Sequence, residues 1–519
     1  MASSCGIGVL SVEASLRTYP FFPPSHPREA KDHDSRTFLG ALGMEGDCGP
    51  LEGYSRSSES ERTPRFKDAA MTCNPLRKIT ASFGTVPGAL LLGALLVAGA
   101  EAQPRELLAE RKSGPWPEIR TSVQETCGQG FAERIREATQ TLRTIVQNGA
   151  SRSQEDMERR TDSLVADLVA LPTMAARILG QGRWSNLGDH RRNEFIRALT
   201  RHLRQELLTC VEGSCQGVPD LMPAEGEARV TDNGTVVDYW LTRGDKTEPL
   251  TFHLSPEGSC GIVDVRSLEE SLVRQVRRDV DHLREEYSFP YMVAEIGDYD
   301  HVVLEDFERS PADTLPVGWD WKDKDDDSRK PYRVREADGN KYLEATDEGE
   351  SVILGRELEW NLDKYPIVSF RVRVNEIPEG ADERYDDKVD SAAGIYFTVD
   401  KSMFGLIPKS VKYVWSSTLP VGSATIRDGI GRPWQVVFGS GREGLGEWHT
   451  YYFDLRQAYR DTFGEDPPSK PLGIGVLSDA NSMGGKAYAD YDDIRALKRA
   501  PPGVTVTSGV ETILESGQE

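Results

Sequence analysis

The stretch VALPTMAARILGQGRWSNLGDHRRNEFIRALTRHLRQELL (Val169–Leu208) decides how the first half of this chain folds. Met174, Ile178 and Leu179 recur at helical spacing towards Gly180. A polar turn follows, and from about Asp189 to Leu208 the residues Phe195, Leu199, Leu203 and Leu207 form one helical stripe. Upstream, Phe131, Ile135, Ala138, Leu142 and Ile145 mark one helix. Leu164, Leu168 and Leu171 mark another, which Pro172 should end or kink. Downstream the pattern changes to strands: Glu227–Thr231, Val236–Leu241, Leu250–Leu254 and Gly261–Val265, with Asp232-Asn-Gly234 as a hairpin turn. A last helix runs from about Ser267 to Glu286 with Leu272, Val276, Val280 and Leu283 on one face. Helices packed on a strongly bent antiparallel sheet make an α+β domain.

From Glu305 the composition shifts to strands, Gly and aromatics. Val352–Leu354, Ile367–Val374, Ala392–Val399, Lys412–Ser416, Trp434–Gly439, Trp448–Leu455 and Leu472–Leu477 read as strands, and only Leu455–Phe463 looks helical. Turn signals at short intervals suit an all-β, jelly-roll-like antiparallel sandwich.

The 519 residues carry a formal net charge of −22, which argues against a nucleic-acid partner. From Met71 a basic start (Arg77, Lys78), an apolar run from Val86 to Ala98 and small residues at Ala100 and Ala102 follow the order of a secretory signal peptide. The run is too short for the roughly twenty residues of a lasting membrane helix. Residues 1–70, rich in Ser, Pro, Arg and Glu, are expected to be disordered or an upstream start-codon reading. The expected organisation is therefore a signal peptide at 71–102, a leader at 103–121, the α+β domain at 122–298, the sandwich at 305–498 and a disordered tail at 499–519. Export places Cys127, Cys210, Cys215 and Cys260 in an oxidising space, where disulfides are expected rather than a zinc site. Four cysteines allow three pairings. The pairing adopted here is Cys210–Cys215 with Cys127–Cys260.

The order of elements, and several residues, resemble the MlaC-like family of periplasmic phospholipid-binding proteins, also called toluene-tolerance proteins. Leu179, Gly180 and Trp184 match a helix ending in Leu-Gly with an aromatic following, and Arg192 and Phe195 match an R-x-x-F helix core that continues through Leu199 and Leu203. Ser267-Leu-Glu-Glu-Ser-Leu272 corresponds to the start of the family's last helix. The likeness covers about Ser122–Asp298, and the Gln181-Gly-Arg183 insertion departs from the family spacing. It implies a non-enzymatic carrier of phospholipid or a related lipid, with an acyl-binding cavity between sheet and helices. It also implies exchange between an inner-membrane ABC lipid transporter and an outer-membrane lipoprotein complex. The residues that would line the cavity are Leu164, Leu168, Met174, Ile178, Trp184, Phe195, Leu199, Val237, Tyr239, Phe252 and Ile262. Arg191, Arg192, Arg197 and Arg201 make the third helix locally basic, a face suited to phosphate head groups or an acidic docking partner.

The sandwich resembles a bacterial domain family of unknown function. The resemblance rests on Asp306-Phe307, Leu315-Pro-Val-Gly-Trp319, Lys412-Tyr-Val-Trp415, Gly444-Leu-Gly-Glu-Trp448, Ser478-Asp-Ala-Asn-Ser-Met-Gly-Gly485 and Ala489-Asp-Tyr-Asp-Asp-Ile494. Asp479, Asp490, Asp492 and Asp493 offer oxygens for calcium, although their spacing is not that of an EF-hand loop. Trp319, Trp321, Trp360, Trp415, Trp434 and Trp448 are candidates for a sugar-stacking platform or for core. H-E-x-x-H, G-x-S-x-G and G-x-x-x-x-G-K are absent from the sequence, and no cofactor is expected beyond a bound lipid. The leading expectation is periplasmic lipid transport. The alternative is a non-catalytic cell-envelope glycan-binding module.

Overall fold

The structure is a computed structural model, described for residues 121–147, 153–209, 220–223, 228–231, 234–243, 246–255, 260–267, 270–321, 331–402 and 406–517. The expected upstream segment, signal peptide and leader lie outside the described residues. Among the described residues, no helix is long and apolar enough to cross a membrane.

Helix α1 (Thr121–Gln147) buries Phe131, Ile135, Ala138, Leu142 and Ile145, the set its periodicity predicts. Helix α2 (Gln154–Leu168) starts where Ser153 accepts a hydrogen bond from the Asp156 amide, and Glu155 and Asp156 complement the positive end of the helix. Pro172 does not end or kink this helix. The break comes earlier, at Val169, whose extended backbone forms a bridge to Ile262, and Pro172 then sits in the first turn of α3 (Leu171–Leu179), where its missing N–H costs nothing. Gly180, at φ 85°, leads into a short helix, α4 (Gln181–Asn186), in place of the polar turn. Helix α5 (Asp189–Thr209) follows as its stripe predicts.

The first sheet comprises β1 (Asp220–Pro223), β2 (Arg229–Thr231), β3 (Gly234–Arg243), β4 (Lys246–Leu254), β5 (Ile262–Ser267) and β6 (Glu270–Ser271). Its order is β1-β3-β4-β5-β6 with β2 beside β3, antiparallel throughout. Helix α6 (Leu272–Glu286) begins five residues beyond the expected Ser267 (272 − 267), because Glu270–Ser271 pairs as a strand first. Buried Asp264 fixes that start, accepting from Ser271 Oγ at 2.9 Å and from the Val273 amide at 3.1 Å.

Helix α7 (Phe289–Ile296) is shared between two cores: Met292 and Ile296 pack into the helix–sheet cluster, Tyr291 and Ala294 into that of the sandwich. The chain at 298–305 is no loose linker. Strand β7 (His301–Glu305) pairs with β19 (Ala487–Leu497) inside the sandwich. The remaining strands of that first sandwich sheet are β9 (Tyr332–Ala337), β10 (Asn340–Asp347), β12 (Ile367–Glu376) and β17 (His449–Asp454), in the order β17-β12-β19-β10-β9. The second sheet has β8 (Asp320–Trp321), β11 (Leu354–Glu357), β13 (Ser391–Ser402), β14 (Ile407–Ser416), β15 (Ser423–Thr425), β16 (Trp434–Ser440), β18 (Gly473–Asp479) and β20 (Thr512–Ile513), in the order β20-β15-β16-β14-β13-β18-β11-β8. Pairing is antiparallel except for β14–β16 and β15–β20, which are parallel. Helix α8 (Leu455–Phe463) is capped by Asp454 and stopped by left-handed Gly464.

The tail expected to be disordered from residue 499 is ordered as far as 517. Thr512–Ile513 pairs with β15, and the Gly517 amide donates to the Arg384 carbonyl at 3.1 Å. Backbone pairing supplies order that the tail's polar composition does not announce.

Candidate functional site

The predicted lining residues converge. Leu164 and Leu168 from α2, Met174 and Ile178 from α3, Phe195 and Leu199 from α5, and Tyr239, Phe252 and Ile262 from the sheet are buried in one apolar cluster. Trp184 and Val237 pack at its edge, half-buried. Phe131, Tyr239 and Phe252 meet at its centre, with ring centroids 5.3–6.2 Å apart and tilted to edge-on planes. Burial pushes the Tyr239 hydroxyl up to about 12, so it stays a neutral polar end in an apolar setting. This arrangement offers apolar contact.

The arginine face of α5 is largely spoken for. Arg191 lies 5.1 Å over the Phe289 ring and Arg201 lies 5.0 Å over the Tyr299 ring, both on the segment leading to the sandwich. Arg192 donates to the Trp184 carbonyl at 3.1 Å and the Ser185 carbonyl at 2.9 Å, bracing α4. Of the predicted head-group residues only Arg197 is exposed. A solvent-facing stripe of four arginines is therefore replaced by one exposed arginine and three that hold neighbouring elements.

At the junction a small cleft is lined by Arg191, Glu194, Glu305, Asp306, Arg309 and Arg356, among others. Glu305 accepts from Arg309 at 3.1 Å and from Trp319 Nε1 at 2.9 Å, and also pairs with buried Arg356. Burial alone would raise Glu305, but Arg356 and Arg309 hold it below the ordinary carboxylate range. No sequence motif announced this network; in the sequence Glu305 only marked the change of composition between the two regions.

Among the described tryptophans most serve the core, Trp434 packing against it half-buried. Trp319, Trp360 and Trp415 are buried, and Trp321 lies outside the described side chains. Trp448 is half-buried beside Tyr342, with the Arg371 and Arg373 guanidiniums 4.4 and 4.9 Å from its ring. The acidic residues are not gathered either. Asp490 and Asp492 lie on β19, where Arg373 reaches Asp490 at 2.7 Å and Arg371 reaches Asp492 at 3.3 Å, while Asp493 pairs with Arg495. Asp479 ends β18 in the other sheet. Among the described residues no group of three or more His, Cys, Asp or Glu is placed to hold a metal ion. Of the cysteines only the Cys260 side chain is described; those of Cys127, Cys210 and Cys215 lie outside the described residues.

A second polar group escaped the sequence altogether. One transverse row of the second sandwich sheet runs Thr425, Gln435, Lys412, Tyr396, Gly475, each the register partner of the next. It lies on the face opposite the core, since the alternating neighbours Ala424, Val436, Tyr413, Ile395, Ile474 and Val476 belong to the core. Buried Glu383 stands over it, accepting from Ser416 Oγ at 2.6 Å and Ser391 Oγ at 3.1 Å, while Gln435 Nε2 donates to the Glu383 carbonyl at 3.2 Å. Burial raises the Glu383 carboxyl to about 7 and lowers the Lys412 ammonium to about 8.

Residues 318–495 match a family described as a protein of unknown function, DUF3047, while the MlaC-like likeness has no family match. No curated protein matches the chain. Among solved structures the chain is similar to a phospholipid-binding protein from Ralstonia solanacearum solved with a phospholipid, at 14% identity over 32% of this chain and 94% of that one, with a TM-score of 0.25. A carbohydrate-binding module in complex with β-1,4-galactotriose matches at 12% identity over 37% and 99% of the two chains, with a TM-score of 0.18. The xyloglucanase domain of a type three effector from Sinorhizobium fredii matches at 10% identity over 35% and 92%, with a TM-score of 0.21. At these scores the likenesses carry no weight for ligand or activity.

Proposed function

We propose that the chain is a non-enzymatic lipid carrier of the cell envelope, with the helix–sheet region as the carrying part. The observation that carries this reading is the convergence of the predicted lining residues, from four helices and three strands, on a single apolar cluster between helices and sheet. Burying an acyl chain stabilises a complex by about 0.8 kcal/mol per methylene, so a carrier must enclose the tails it moves through water. The cluster is where the helices would part from the sheet to admit them. The cargo proposed is phospholipid or a related lipid. Export to the periplasm, and exchange with an inner-membrane ABC transporter and an outer-membrane lipoprotein complex, are the partners and place that the sequence resemblance implies. No catalytic step and no cofactor are proposed. Native mass spectrometry of the full chain purified without detergent tests the reading. Adducts that extract as phospholipid support it, and a protein that stays lipid-free after incubation with phospholipid vesicles overturns it.

A further inference from the structure

We propose that the row Thr425, Gln435, Lys412 and Tyr396 on the outer face of the second sandwich sheet binds a neutral, hydroxyl-rich ligand, a sugar residue of a glycan. The proposal is independent of lipid carriage. It rests first on polar atoms that are buried without partners. Thr425 Oγ1, Gln435 Oε1 and Arg427 Nε make no hydrogen bond among the described residues. Thr425 and Gln435 are 0 and 2% exposed, and they are register partners on adjacent strands. Lys412, 3% exposed, places its ammonium 5.3 Å from the Tyr396 ring centre and has no hydrogen bond or ion pair among the described residues. Folded chains pair nearly all such groups with protein or ordered water, so several together without a protein partner mark a polar place that water or a ligand completes.

The chemistry of these atoms selects the ligand. Gln435 Oε1 needs a donor, Lys412 and Arg427 need acceptors, and the Thr425 hydroxyl takes either. A sugar hydroxyl both donates and accepts, so adjacent hydroxyls meet all of these demands at once. Charge argues against an ionic ligand: Asp479, Glu383 and Asp390 already face Lys412, and Asp386 pairs with Arg427. An acyl chain is excluded by the same unpaired polar atoms, which it would leave unsatisfied. The glycine at register position 394 is needed because a Cβ there would collide with the Lys412 side chain, which lies across that strand. Access runs through the roof. The 382–390 segment covers the row, and it is fastened to the neighbouring loop by exposed Asp386, paired with Arg427 and with Arg432 at 3.5 Å. Asp386 is exposed, but the Arg427 side chain is 9% exposed and Glu383 also holds the segment through Ser416, Ser391 and Gln435, so opening the roof exchanges these hydrogen bonds for those of the ligand.

The test is a microarray of neutral and acidic oligosaccharides probed with the full chain, Thr425→Val and Gln435→Leu. The expected result is retention on neutral glycans by the parent and at least a tenfold weaker signal for both variants. Thr425→Val should melt no lower than the parent, because it removes an unpaired buried atom, whereas Gln435→Leu also removes the hydrogen bond to the Glu383 carbonyl and is expected to melt somewhat lower. Absence of neutral-glycan retention overturns the proposal, as does retention confined to acidic glycans or unchanged in both variants. A lower melting temperature in both, with the glycan signal unchanged per folded molecule, assigns the row to structure alone. Should Gln435→Leu fail to fold, Thr425→Val decides on the same readings.

Discussion

Arg204 on α5 and Asp162 on α2 meet at 2.6 Å, Nη1 to Oδ2, and the same guanidinium reaches Glu158 at 3.3 Å. The arginine side chain is 7% exposed, whereas Asp162 and Glu158 remain 38 and 31% exposed. One buried cation thus pins two helices through carboxylates that keep contact with water. Burial holds Asp162 above its ordinary range and Arg204 pulls it back. Arg204→Met keeps the aliphatic stem and removes the charge. Because both acids can rehydrate, the expected loss is about 1–2 kcal/mol, below the roughly 3–5 kcal/mol for breaking a fully buried pair. Urea denaturation of the parent and variant checks it; a loss above that range would mean the acids stay dry.

Gly261 gives a sharper packing prediction. A Cβ there would fall 2.8 Å from the Ala170 backbone nitrogen, where the Ala170 amide also donates to the Ile262 carbonyl at 3.0 Å. Backbone cannot step aside as a flexible side chain can. Gly261→Val is expected to cost about 1–3 kcal/mol or more through overpacking. Gly182→Ala, which meets nothing within 4 Å, serves as the control and should leave the melting temperature close to the parent's.

The helices were legible because their burial is one-sided: the stripes of α1 and α5 name the residues that the fold buries. Helix α7 was not, since its two faces enter two different cores and leave no polar side to give a period. Strand β19 was not legible either, for the opposite reason. Asp490 and Asp492 alternate with buried Ala489 and Tyr491, an ordinary strand pattern, but acid next to acid reads as a turn until Arg371 and Arg373 appear on the neighbouring strand. The buried row escaped because Lys412 and Gln435 are far apart in sequence and only the parallel β14–β16 pairing aligns them. The lining residues of the helix–sheet cluster were found from single-helix and single-strand patterns, and those patterns do not distinguish a cavity wall from a core.

Glu383 makes stability depend on pH in a stated direction. In the unfolded chain it ionises near its ordinary value of 4.5, and in the fold only near 7. Between those values the folded state binds more protons, so stability falls as pH rises from about 4.5 to about 7, and each unit of pKa difference is worth about 1.4 kcal/mol. Asp347 and Asp492, both raised to about 6 with burial as the first cause, act in the same sense. Glu383→Gln should flatten this part of the profile without abolishing it. Melting temperatures at pH 5 and pH 7 supply the comparison, and an unchanged difference would show that Glu383 ionises normally in the fold.

Export and disulfide formation are predicted together. If Cys127, Cys210, Cys215 and Cys260 lie in an oxidising space, the mature chain should show no free thiol when denatured without reductant. Thiol counting and N-terminal sequencing of the envelope fraction decide the matter. Cleavage after Ala102 with no free thiol is the expected outcome; four free thiols, or a mature chain starting at Met1, contradicts it.

The last prediction separates cavity wall from core. Leu199 and Ile178 are 0 and 1% exposed, on α5 and α3, in the cluster that holds Tyr239 and Phe252. Leu199→Trp and Ile178→Trp each add a ring where close packing leaves no room. In an inert core that strain costs about 1–3 kcal/mol and changes nothing else. In a carrier the helices must already be able to part from the sheet, so the ring occupies the space that the acyl tails would take. Lipid carriage then predicts a small change in melting temperature and a loss of phospholipid in the native mass spectrum. Strong destabilisation at both positions, in a protein whose parent form takes up no lipid, would make these residues ordinary core and remove the basis for the carrier.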